Sequence, residues 1–66
     1  MKIKINGQIK EVDGSKSIAA LINELNLNAD RIVVEYNGEV LDKSEYDSTY
    51  LNEGDVLELI QFVGGG

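Results

Sequence analysis

Only one stretch of this chain carries a helical apolar stripe. Ile18, Leu21, Ile22 and Leu25 recur at i, i+3, i+4 and i+7, one face of an amphipathic helix. The segments around it, residues 2–5, 8–12, 31–36, 39–41 and 56–63, instead alternate or run apolar at strand length. One helix can shield only one face of a sheet. The expected fold is therefore two-layered α+β, a mixed sheet of four to five strands packed against one main helix. With 66 residues and no cysteine, the chain has room for one core and no disulfide to reinforce it.

Turn residues divide the segments. Asn6-Gly7 predicts a hairpin within residues 1–12. Two registers compete there. A two-residue turn pairs Ile5 with Gln8 and sends Ile9 to the face of Lys2 and Lys4. A three-residue loop with a bulge at Gly7 pairs Lys4 with Gln8 and Ile3 with Ile9. The second register keeps both isoleucines on one face and is the one expected. Ser17 suits the helix N-cap, Asn26 the left-handed position after its last turn, and Leu27 can fold back on the apolar face. In the next strand Ile32, Val34 and Tyr36 share one face, and Val33 and Glu35 the other. Asn37-Gly38 predicts a second hairpin. Residues 42–51 read as polar loop with one helical turn, and residues 52–55 as a turn.

Residues 56–63 form the longest apolar run and are expected at the centre of the sheet, parallel to the first strand. Leu57 and Leu59 then face the helix, while Ile60 and Phe62 face outward. By the same parity Val33 is outward too. Val33, Ile60 and Phe62 are thus candidates for one exposed apolar docking patch, with Glu58 beside it.

Composition excludes several functions. Twelve Asp and Glu against six Lys and Arg give a net charge of −6, which argues against nucleic acid or an anionic membrane as partner. Without histidine or cysteine there is no usual general base and no thiolate or imidazole metal ligand. Ser15, Ser17, Ser44 and Ser48 therefore lack an activating partner. Asp42, Glu45, Asp47, Glu53 and Asp55 do not follow calcium-loop spacing, and no metal is expected. Tyr36, Tyr46 and Tyr50 lack the basic neighbours of a nucleic-acid stacking platform and are expected at the edge of the core. No apolar run could span a bilayer and the N-terminal segment alternates, so a cytoplasmic location is expected.

The remaining feature is the run Phe62-Val63-Gly64-Gly65-Gly66, read as the true end of the chain. Together with Val34-Glu35-Tyr36-Asn37-Gly38-Glu39 and Glu53-Gly54-Asp55-Val56-Leu57-Glu58-Leu59, it resembles the ThiS family of sulfur carriers in thiamin biosynthesis, small ubiquitin-like proteins of the β-grasp fold. The resemblance covers the whole chain. It implies a single domain over residues 1–63 and a flexible glycine tail over residues 64–66. The related molybdopterin synthase small subunits also end in Gly-Gly. They are usually longer and often carry proline before the tail, whereas this chain has no proline.

The resemblance also implies a chemistry. The working group is the α-carboxylate of Gly66, with Gly64 and Gly65 as its tether, and no side chain is catalytic. An ATP-dependent adenylating enzyme of the E1-like, ThiF type activates the carboxylate. A persulfide donor converts it to a thiocarboxylate, and a thiazole synthase of the ThiG type consumes the sulfur. The protein is then a co-substrate, not an enzyme, and holds no cofactor. The residues alone leave two further readings open, a modifier that forms isopeptide bonds and an interaction module with an inert tail. Net negative charge, with Glu35, Glu39 and Glu58 as candidates, is expected to steer the chain toward basic surfaces.

Overall fold

The computed structural model describes residues 1–62. In chain order the elements are β1 (Lys2–Ile5), β2 (Gln8–Glu11), α1 (Ile18–Glu24), β3 (Ile32–Tyr36), β4 (Glu39–Val40) and β5 (Val56–Gln61), with single 3-10 turns at Ala29–Arg31 and Lys43–Glu45. The strands form one sheet in the order β2-β1-β5-β3-β4. β5, the longest strand, is central. It runs parallel to β1, with Ile5 opposite Leu57, and antiparallel to β3, with Val34 opposite Leu59. No helix among the described residues is long and apolar enough to cross a membrane.

The helix forms where its stripe predicts and is closed at both ends by its own sequence. Ser17 Oγ accepts the Ala20 N–H at 3.1 Å, satisfying a donor that has no partner within the helix. At the other end Asn26 is left-handed, with φ 60°. The Asn26 N–H bonds to the Asn23 carbonyl and the Leu27 N–H to the Ile22 carbonyl, both at 3.0 Å, and Leu27 packs back on the core. Seven residues are too few for a stable free helix. Burial of Ile18, Leu21 and Ile22 on the sheet holds it in place.

The core lies between α1 and the three middle strands. Ile3 and Ile5 of β1, Leu57 and Leu59 of β5, and Ile32 and Val34 of β3 are its sheet side. Tyr46 and Leu51 reach it from the long connection between β4 and β5. Tyr46 is therefore a core residue and not an edge one. Its hydroxyl donates to the Ile32 carbonyl at 3.3 Å. Tyr50, by contrast, is exposed.

The first hairpin departs from the expected register. Its pairs are Ile5 with Gln8, Lys4 with Ile9 and Ile3 with Lys10, so the two-residue turn is the one adopted. Asn6 and Gly7 have φ of 50° and 82°, the left-handed pair whose twist matches that of the strands it joins. Ile9 consequently lies outward and 63% exposed. The expectation that it shares a face with Ile3 fails because the short helix never reaches β2, where all four residues are exposed. There is no core for Ile9 to enter. A second correction concerns β5, which ends at Gln61 where an apolar run to residue 63 was expected; residue 63 lies outside the described residues.

Both hairpin asparagines also hold β5. Asn6 Oδ1 accepts the Leu59 N–H at 2.8 Å, and its Nδ2 donates to the Leu59 carbonyl at 3.3 Å. Asn37 Oδ1 accepts the Val56 N–H at 2.8 Å. These side chains extend the ladders past the points where β1 and β3 turn away. Asn6→Ala should therefore destabilise the fold by about 2 kcal/mol, losing two bonds and straining a left-handed backbone. Asn6→Gly should cost about half of that, because glycine keeps the turn. Urea denaturation midpoints of the two variants check the order.

Candidate functional site

Strand parity decides what the sheet presents to solvent. With Leu57 and Leu59 buried at 0% and 8% exposure, Ile60 is turned outward at 50%. Phe62 follows at 51%, held in line by its N–H, which donates to the Arg31 carbonyl at 3.0 Å. Val33 lies directly opposite Ile60 and is half-buried. The structure thus brings Val33, Ile60 and Phe62 together on the outer face, at the end of β5 from which residues 63–66 continue. Gly64, Gly65 and Gly66, the expected tail and sulfur-bearing end, lie outside the described residues.

Glu58 is on the same face, one step back along β5 and directly opposite Glu35. Two carboxylates facing each other across strands are mutually unfavourable in the free protein, and a basic group between them would relieve that. Glu39 is not part of this pair. It sits opposite Tyr36 on β4, and parity turns it to the helix side.

The outer face holds more apolar surface than the sequence alone indicated. Val56 is 43% exposed, Val40 67% and Ile9 63%. Val56 precedes Glu58 on β5, Val40 lies opposite Glu35, and Ile9 lies opposite Lys4. Their period-two spacing was readable. Ile9 joined the face only through the two-residue turn.

A buried polar cluster fixes the start of β5 behind this face. Asp55, 7% exposed, accepts from the Tyr36 hydroxyl at 2.8 Å, from Asn37 Nδ2 at 3.1 Å and from the Asn52 N–H at 2.7 Å. Burial, reinforced by the Asp55 carboxylate, raises the Tyr36 pKa above that of an ordinary phenol, so the hydroxyl remains a donor. The cluster binds its own loop, and its carboxylate is spent on it. Among the described residues no group of acidic side chains converges on a metal position.

Comparison with known proteins agrees with this architecture. The ThiS family matches residues 3–66. A sulfur carrier protein ThiS from Bacillus subtilis is 32% identical over 65 residues, covering 97% of this chain and 98% of that protein. A thiazole synthase from Paramagnetospirillum magneticum is 39% identical over the whole chain, which spans only 20% of that relative's length. The crystal structure of a thiamine biosynthesis protein (ThiS) from Geobacter metallireducens superposes with a TM-score of 0.85 at 38% identity, each chain fully covered. The sheet order and single helix are those of the ubiquitin-like β-grasp, and the chain belongs to the ThiS family.

Proposed function

We propose that this ThiS-family sulfur carrier of thiamine biosynthesis works through the carboxyl end of Gly66, and that the outer face of the sheet holds its enzymes while they work on that end. The observation that carries this reading is the position of Val33, Ile60 and Phe62. An exposed Ile and Phe add nothing to the stability of a small domain, yet here both stand on the outer face within four residues of Gly64 in sequence.

A carboxylate resists nucleophiles because it is already negative and its oxygen is a poor leaving group. Attack of the Gly66 carboxylate on the α-phosphorus of ATP forms an acyl adenylate and expels pyrophosphate. The terminal sulfur of a persulfide then displaces AMP to give an acyl disulfide. A thiol attacks the donor-side sulfur, releasing the thiocarboxylate and leaving a disulfide. None of these steps needs a base from this chain. The protein serves as a co-substrate, consistent with its lack of histidine and cysteine.

Glycine suits such an end. Without Cβ it passes narrow channels and adopts backbone angles closed to other residues. Four extended residues beyond Phe62 would reach about 13–14 Å, enough to leave the folded body and enter another protein's active site. Thiazole synthase as the sulfur acceptor is supported by the Paramagnetospirillum relative of that name, in which one stretch resembles this whole chain.

Intact mass after incubation with the activating enzyme, ATP and a persulfide donor tests the reading. The expected product has one oxygen replaced by sulfur at the C-terminus. An isopeptide-linked conjugate in its place would make the chain a modifier. Removing Gly66 should abolish ATP–pyrophosphate exchange without altering the melting temperature. Ile60→Asp should weaken binding to the activating enzyme by about tenfold or more and barely change stability. Leu57→Ala, on the buried side of the same strand, should instead cost about 2–5 kcal/mol of stability. Glu58→Lys should slow association and flatten its dependence on ionic strength.

A further inference from the structure

β5 offers its backbone groups alternately to its two neighbours. Even-numbered residues face β3: the Asn37 N–H donates to the Val56 carbonyl, and the Phe62 N–H to the Arg31 carbonyl. Odd-numbered residues face β1. The Asp55 carbonyl accepts the Lys4 N–H at 2.9 Å, and the Leu57 carbonyl accepts the Asn6 N–H at 3.0 Å. Leu59 is met on both its N–H and its C=O by the Asn6 side chain. Gln61 is next in the series. By then β1 has turned away, and among the described residues no backbone or side-chain group meets the Gln61 N–H or C=O. A sheet edge is therefore open for the last step of the central strand.

A groove of about 330 Å³ lies beside this step on the helix side of the sheet. Ile5, Leu25, Leu27, Ile32 and Leu59 line it with apolar surface, and Lys10 stands on its rim. Among the described residues no carboxylate lines it and Lys10 has no ion pair. In a chain of net charge −6 this is a local reversal of sign. Parity links edge and groove. Gln61 shares the face of Leu57 and Leu59, and a residue paired opposite Gln61 on an added strand must share it too. Its side chain would point into the groove.

We propose that the open edge at Gln61 takes an extended segment of a partner protein by strand addition, with one aliphatic side chain in the groove and a carboxylate two residues on that pairs with Lys10. Main-chain bonds hold such a segment, and the alternate side chains select it. The site is separate from the outer face, and strand addition here is independent of the sulfur chemistry.

The test is an NMR titration of the full ¹⁵N-labelled chain with a blocked peptide of sequence Thr-Leu-Thr-Glu-Thr. Saturable shifts are expected at Asn6, Lys10, Leu27, Leu59 and Gln61. Gln61→Pro removes the outward N–H without touching a bond to β3 and should lower affinity by about tenfold. Lys10→Glu should weaken the peptide and favour one in which lysine replaces its glutamate. The proposal is overturned if no saturable shifts occur, or if they map to Val33, Ile60 and Phe62. It is equally overturned if both variants bind as the parent does. Contacts from residues 63–66 to Leu25 and Leu27 in the free chain would assign the groove to the chain's own end. Shifts that depend on protein concentration alone would assign it to a second copy. None of these results bears on adenylation of Gly66, so failure here leaves the carrier function standing.

Discussion

A helix of two turns can dry only about three strands, and the rest of this molecule is arranged around that shortage. α1 covers β1, β5 and β3 and leaves β2 and the outer face to solvent. The apolar positions split accordingly. Those on the helix side, from Ile3 to Leu59, are nearly dry. Those on the other side, Ile60 and Phe62 foremost, stay wet because no second layer among the described residues receives them. In a larger domain a second helix would cover them. Here the uncovered side of the sheet keeps its apolar side chains in solvent, and the docking role proposed for it follows from the same economy that keeps the domain small.

The two Asn-Gly turns carry more of the structure than turns usually do. Each asparagine accepts a left-handed backbone and then spends its amide on β5. Asn37 grips the strand at Val56 and Asn6 grips it at Leu59. The Asn6 side chain thus holds the central strand one step beyond the reach of the β1 backbone, and the Asn37 side chain completes at Val56 a pair that its own backbone N–H begins. This also explains where the β1 lane stops. One amide spans one step of the ladder, and Gln61 is a step too far.

Most of the fold was legible because its signals were local. The stripe from Ile18 to Leu25, the cap at Ser17 and the left-handed Asn26 each depend on residues a few positions apart. The outward placement of Ile60 and Phe62 needed only strand parity and a buried Leu57. The register of the first hairpin is not legible in this way, because burial of Ile9, which would favour the bulged turn, does not occur. Whether β2 has a core to enter depends on how far α1 extends over the sheet, which no local pattern encodes. The second role of Asn6 was equally hidden, since its partner Leu59 is 53 residues away. Tyr46 looked like an edge residue for the same reason: its polar neighbours give no hint that the loop folds it inward.

β5 is bonded on both flanks, to β1 through the Asp55 and Leu57 carbonyls and to β3 through a ladder running from Tyr36 to Ile32. A pull on the C-terminal residues acts along the strand axis, across these bonds. The load falls on both ladders in shear, so many bonds must yield together. A hairpin opened from its turn or ends would release them one at a time. Tension applied beyond Phe62 would therefore reach a strand held on both flanks, and the domain would resist as a unit where an edge strand would peel.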